Sequence, residues 1–397
     1  MTTLLLQHGR LVLQQDLLSG NDILIEDGRI TNIGGSPIGG ETKDVDSFNI
    51  SGLTALPGFI DVQVNGVAGV DAIVANEDDL LKASTFLAGH GVTGWLPTFI
   101  HNSDENYAKG IDVITSTIKR QQEQAASSSL TGARILGVHY EGPFLDPQQH
   151  GAHRPELFRV YRKPSDLDTL KTIPIDSTVH MMTVAPEMEG GLDLVKELKS
   201  RGWVVAIGHT SAGVEVLEKA HSYGARYITH LMNAMPQLHH RDPGVVGWAL
   251  AKDDVMCGLI ADGVHIDPLV LKLIFKCKTA SKILLKSDSM APTGLGDGEF
   301  QVWDETINVK GRLTRGRTGG LAGSVITMQD GVKMMKSIGA SWEELALMAS
   351  YNPASLLRLN DRFGKLEVGR VADLVALDEE SNVKLTIIDG QVVYRNL

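Results

Sequence analysis

The sequence predicts an α/β chain: a (β/α)8 TIM-type barrel with a small β-sheet domain assembled from both chain ends. Three observations carry this. Residues 1–56 read as short strands separated by Asp-Gly and Gly-Gly turns, the last forty or so residues have the same texture, and between them short apolar runs alternate with longer helical patterns.

In the N-terminal stretch, Leu4-Leu-Leu6, Leu11-Val-Leu13 and the runs 22–26 and 29–33 are candidate strands. Asp27-Gly28 between the last two is a strong hairpin signal, because that dipeptide tolerates the positive φ angles of a tight turn. At the other end, runs 372–377, 383–388 and 391–394 repeat the pattern, with Asp389-Gly390 as the turn. Neither end can bury a core alone, so the two are expected to pair into one small β-sandwich domain, residues 1–56 with 360–397, leaving 57–359 as the barrel.

Eight candidate barrel strands follow: 59–64, 92–98, 135–141, 178–184, 204–209, 226–230, 256–260 and 283–288. Eight units of this kind close a barrel. Among the helices, 211–221 places Val214, Leu217 and His221 on one face, with Thr210 or Ser211 as cap. The polar stretch 121–129 reads as a helix end and loop. After the eighth strand the alternation breaks at Gly294-Leu-Gly-Asp-Gly298, and a hairpin over 300–313 and a helix capped by Ser324 are expected. The glycine run lacks the strand and Lys-Ser/Thr context of a P-loop and is read as a turn.

Bulk properties narrow the function. Of the 397 residues, 43% are hydrophobic and 21% charged, as in ordinary globular proteins. A formal charge of -11 without a Lys/Arg cluster argues against nucleic acid, although an anionic small molecule needs only a local positive site. Cys257 and Cys277 fit neither a disulfide framework nor a thiolate metal site. With no run long enough for a signal peptide core or a membrane span, a cytoplasmic location away from membranes is expected.

Polar residues at the C-terminal ends of barrel strands point into one shared site. Glu141, His209, His230 and Asp288 end the third, fifth, sixth and eighth predicted strands. One carboxylate and two imidazoles make a three-ligand set for Zn2+ with a position left open for water. Asp288 is then the general base and acid, and the chemistry is hydrolysis. Fe2+ or another divalent ion can share such ligands. The bland alternative, a satisfied polar network at strand ends, competes for each residue singly but not for four together.

The segments Pro57-Gly-Phe-Ile-Asp-Val-Gln-Val-Asn-Gly66, Val138-His-Tyr-Glu-Gly-Pro-Phe144, Gly208-His-Thr210, Thr229-His-Leu-Met-Asn-Ala-Met235, Ala261-Asp-Gly-Val-His265 and Ser287-Asp288 resemble the N-acetylglucosamine-6-phosphate deacetylase family of the amidohydrolase superfamily. The likeness continues to Asn352-Pro-Ala354 and Gly369-Arg-Val-Ala-Asp-Leu374 and so spans nearly the whole chain. It implies a (β/α)8 barrel with a small β-sandwich from both termini, and removal of the acetyl group from the sugar amide by a metal-activated water. The resemblance puts the metal ligands on Glu141, His209 and His230, with one divalent ion per subunit, and the catalytic aspartate on Asp288. It implies that His153 polarises the substrate carbonyl, that Asn233, the backbone of Ala234 and Arg241 contact phosphate, and that His265 contacts the sugar phosphate. It also implies a homodimer, with Arg241 available to its own or the neighbouring site. One departure is Gln63-Val-Asn65, where many amidohydrolases carry His-x-His. Amides are poor zinc ligands, so a second metal is expected to be absent or weak.

Two other readings stand beside this one: a deacetylase of a related substrate such as N-acetylgalactosamine 6-phosphate, and a non-catalytic barrel kept as a scaffold. His139 could support Glu141 or be an ordinary buried histidine. His90, His101, His180 and His221 are read as structural, and His239 and His240, beside Arg241, either add to the phosphate site or are solvated loop residues.

Overall fold

The computed structural model describes residues 3–13, 16–35, 45–316 and 319–397. Eight parallel strands, Phe59–Val64, Val92–Phe99, Gly137–Glu141, Val179–Val184, Val204–Ile207, Tyr227–Ile228, Met256–Leu259 and Ile283–Leu285, pair each with the next. The ring closes where Val64 bridges Ser289, supported by Asp288 N–H to Gln63 O at 3.0 Å and Asn65 N–H to Ser289 O at 2.8 Å. The expected α/β barrel is therefore the fold.

The strands are apolar on both faces because helices cover the outside. In Val204–Ile207, Val204 and Ala206 join the inner cluster with Ile60, Val62, Met181 and Leu284. Val205 and Ile207 face the surrounding helices. Small residues let the layers close: a Cβ on Gly258 would lie 2.1 Å from the Tyr227 hydroxyl.

Both chain ends meet in one eight-stranded, mostly antiparallel sheet. Its order is Gln391–Arg395, Val383–Ile388, Leu374–Leu377, Thr54–Pro57, Thr3–Val12, Leu17–Glu26 and Arg29–Gly34, with Asp46–Asn49 beside the third-to-last of these. Leu6, Leu11, Ile25, Leu374 and Ile387 share its own core. On the opposite face Val12, Leu56, Val375 and Leu377 pack into the main core. Both predicted hairpins form, with positive φ at Asp27 and Gly28 and again at Asp389 and Gly390.

Several local expectations need correction. The first two predicted strands are one, Thr3–Val12, with a register irregularity around His8, whose φ is 62°. The bend lets one strand pair with Asp46–Asn49 through Leu4–Gln7 and with Thr54–Pro57 through Arg10–Leu11. Neither Thr210 nor Ser211 caps the following helix, which begins at Val214 after Gly213. Both instead bind Glu187, through Thr210 Oγ1 at 2.5 Å and Ser211 N–H at 2.7 Å. Ser324 does not cap a helix either: its hydroxyl donates to Ser287 O at 2.6 Å, and Thr327 caps Met328–Ser337 in a box with Asp330. The expected 300–313 hairpin is three strands, Gly298–Val302, Glu305–Lys310 and Leu313–Arg315. No helix among the described residues is long and apolar enough to cross a membrane.

Candidate metal centre and active site

Glu141 ends the third barrel strand and points inward by ordinary alternation, since Val138 and Tyr140 pack outside. The other three site residues lie beyond their strand ends: after Ile207, Ile228 and Leu285 the ladder stops. His209, His230 and Asp288 have φ of 48°, 28° and 53°. Non-glycine residues rarely adopt that left-handed region, and it clusters at functional sites. For His230 the consequence is decisive. Thr229 faces inward to Gln63 and Ile228 outward, so unbroken parity would turn His230 away from the pocket. The left-handed turn brings it back.

These turns bring the side chains together. His230 Nε2 lies 3.0 Å from His209 Nε2 and 3.1 Å from Glu141 Oε1, and His209 Nε2 is 3.4 Å from the same oxygen. Each ring's other nitrogen is held by a backbone carbonyl: His209 Nδ1 by Gln149 O at 2.8 Å and His230 Nδ1 by Asn233 O at 3.1 Å. A carbonyl only accepts, so Nδ1 carries the proton and Nε2 presents a lone pair. Two such lone pairs facing each other repel unless a cation lies between them. Tetrahedral Zn–N bonds of about 2.0–2.1 Å separate ligand atoms by about 3.3 Å, close to the spacing found. The donor set fits a divalent metal ion. Burial, followed by the nearby Lys286 charge, lowers His230 to a pKa of about 4, which keeps it neutral as a ligand must be. Burial alone would raise the Glu141 pKa, but its hydrogen-bonding surroundings, the His153 ring first among them, outweigh that and hold the carboxyl well below its usual range.

Asp288 Oδ1 accepts from Gln63 Nε2 at 3.0 Å and from Asn65 Nδ2 at 2.9 Å, and Gln63 Nε2 also donates to Glu141 Oε1 at 2.7 Å. The amide of Gln63 is oriented by Thr229 Oγ1 at 2.9 Å and by the ammonium of Lys286, both donating to its oxygen. Lys286 is fully buried, with its Nζ 3.5 Å from Asp288 Oδ2. The two residues expected to weaken a second metal site therefore clamp the aspartate with their amides, and a buried cation stands beside it.

Glu141, His153, His209, His230, Asn233, Ala234, His265 and Asp288 line one pocket, joined by Trp303, Ile100, Leu321 and Gly323. His153 Nε2 is 3.4 Å from Glu141 Oε2. His265 Nδ1 lies 2.6 Å from Asp262 Oδ2, which leaves Nε2 as the free ring nitrogen. Arg241 is exposed and lies outside the pocket lining of its own chain, with its guanidinium against His240 at 3.0 Å. His139 bonds Thr183 Oγ1 at 2.8 Å and Val62 O at 3.1 Å, so it is a buried structural histidine.

Sequence reasoning passed over three neighbours of the site. Lys286 carries a sequence signal, because a lysine at the end of an apolar barrel strand, two residues before the aspartate expected in the site, must be buried beside it. His101, read as structural, follows the end of the second strand and holds its Nδ1 2.9 Å from His153 Nδ1, so it belongs to the surroundings of the site. Trp303 reaches the pocket from the tip of the inserted hairpin, where no pattern marks it.

The amidohydrolase family model matches residues 54–393 of this chain. The chain belongs to the amidohydrolase family. This amidohydrolase is 35% identical over 396 residues to N-acetylglucosamine-6-phosphate deacetylase of Bacillus subtilis (strain 168), covering 99% of this chain and 97% of the relative. It is 33% identical to N-acetylgalactosamine-6-phosphate deacetylase of Escherichia coli O157:H7, over 98% of this chain and 99% of that one. Among solved structures, N-acetylglucosamine-6-phosphate deacetylase from Pasteurella multocida superposes with a TM-score of 0.88 at 28% identity, covering 99% of this amidohydrolase and 100% of that chain.

Proposed function

We propose that this chain is a metal-dependent hydrolase of the N-acetyl amide of N-acetylglucosamine 6-phosphate, releasing glucosamine 6-phosphate and acetate. The observation that carries the reading is the facing pair of imidazole lone pairs, 3.0 Å apart beside Glu141, in the pocket that also holds Asp288. Glu141, His209 and His230 would hold one divalent ion, Zn2+, per subunit. When bound, the ion supplies a Lewis acid that activates water near neutral pH.

The chain's own residues do the rest. Asp288, aimed by Gln63 and Asn65, takes the proton of the attacking water and delivers it to the departing amine. His153 donates to the carbonyl oxygen as charge develops there. Asn233, the backbone N–H of Ala234 and His265 receive the sugar phosphate. No lysine or arginine lines the described pocket, which supports a homodimer in which Arg241 of the partner subunit completes the phosphate site. The barrel comprises residues 57–359 and the small domain residues 1–56 with 360–397, and the enzyme works in the cytoplasm.

Rates on the glucosamine and galactosamine epimers, with unphosphorylated N-acetylglucosamine as control, test the substrate. The second epimer is included because of the 33% identical relative named N-acetylgalactosamine-6-phosphate deacetylase. Equal rates with and without phosphate would sink the phosphate assignment. Asp288→Asn is expected to keep its metal and lose turnover by orders of magnitude, and loss of metal in that variant would instead make Asp288 a ligand.

A further inference from the structure

His153 can polarise a carbonyl only if its proton sits on the nitrogen that faces the pocket. A neutral imidazole has one N–H, and the pocket-facing nitrogen is Nε2, 3.4 Å from Glu141 Oε2. Its other nitrogen, Nδ1, meets Nδ1 of His101 at 2.9 Å. One of these two nitrogens donates and the other accepts.

His101 decides which. Its Nε2 lies 3.2 Å from the backbone N–H of Arg154, which can only donate, so His101 Nε2 is an acceptor and carries no proton. The His101 proton is therefore on Nδ1 and is donated to His153 Nδ1. His153, receiving there, carries its own proton on Nε2. Burial, then the neighbouring His153 and Arg154, holds His101 at a pKa of about 3, consistent with a neutral ring.

We propose that His101 is a positioning residue that fixes the tautomer of His153 so that its Nε2–H is presented to the substrate carbonyl. The relay runs from Arg154 N–H through His101 to His153, and a backbone amide sets its direction, so it needs no change in protonation during the reaction. His101 itself is 2% exposed and does not line the pocket, and it acts only through its neighbour. The inference rests on the carbonyl-polarising role proposed for His153.

The test uses the full chain loaded with Zn2+, which is diamagnetic, and labelled with 15N at the histidine rings. The proposal expects the His153 signal of the wild-type protein to report protonated Nε2 and bare Nδ1, and a proton on Nδ1 would overturn it whatever the activity. His101→Leu removes the donor and leaves a buried acceptor unpaired. Its kcat should fall about 10-fold or more with KM within about twofold, since one oxyanion donor is worth roughly 10²–10³. His101→Asn returns an N–H near the Nδ1 position and should recover most of that loss, whereas equal loss in both variants would make the role one of packing. Wild-type kcat in His101→Leu overturns the inference. Wild-type kcat in His153→Phe would overturn the role of His153 instead, and the two failures are distinguishable.

Discussion

Gln63→Leu is the perturbation that most sharply separates a clamp from a spacer. Gln63 is fully buried, and its amide touches three charged groups: Glu141 at 2.7 Å, Asp288 at 3.0 Å and the Lys286 ammonium. Leucine fills nearly the same volume, so little cavity cost enters. Hydrogen bonds to charged groups contribute about 1.5–3 kcal/mol each, but the losses are cushioned. Asp288 keeps Asn65 at 2.9 Å, Lys286 keeps Thr229 Oγ1 at 3.1 Å, and Glu141 keeps His153 Nε2 at 3.4 Å. The net destabilisation should therefore be near one such bond, about 3 kcal/mol, or a melting temperature lower by about 5 °C. Turnover should fall about 100-fold, because Asp288 loses one of its two amide clamps and an ångström of misplacement costs about that much. Thermal unfolding, metal content and steady-state kinetics measured together check this. Wild-type kcat in a variant with full metal content would refute the claim that Gln63 aims Asp288.

Further expectations concern metal, charge and space. Chelation should abolish hydrolysis, and one equivalent of Zn2+ per chain should restore it; recovery that needs two equivalents, measured by titration, would contradict a single site. Burial pushes the Asp61 pKa up to about 6 despite hydrogen bonds from Ser287 and Gln63, and its Oδ2 has no partner. The folded state thus binds this proton more tightly than the unfolded chain, so the Asp61 contribution to stability falls as pH rises from about 4 to 6, by about 3 kcal/mol at about 1.4 per pKa unit. Asp61→Asn should make the slope of unfolding free energy against pH more positive across that window, and an unchanged slope would count against a buried charge. Gly151 has φ of 58°, and a Cβ there would come within 3.3 Å of His209 Cε1, so Gly151→Ala should weaken metal affinity about 10-fold in competition with a chelator. Arg241→Ala should raise KM with kcat nearly unchanged; a kcat loss instead would place the arginine in the transition state.

The sequence by itself determined the layout. Alternating βα units dictate a barrel, the two Asp-Gly hairpins and β-rich ends dictate a shared sheet, and Glu141 points into the pocket by simple parity. It also singled out His209, His230 and Asp288, because polar side chains at the ends of apolar strands have few other uses. What only the tertiary structure decided is how those residues arrive. His209 and His230 depend on left-handed turns beyond their strands, a backbone conformation that neither period nor propensity encodes for histidine. The orientation of their rings comes from carbonyls of Gln149 and Asn233 on loops, and the aim of Asp288 comes from amides on the strand that closes the ring. Apart from Asn233, three residues beyond His230, those partners lie 60 to 225 residues away along the chain, so no local pattern records them. Closure of the barrel supplies the contact, and with it the chemistry.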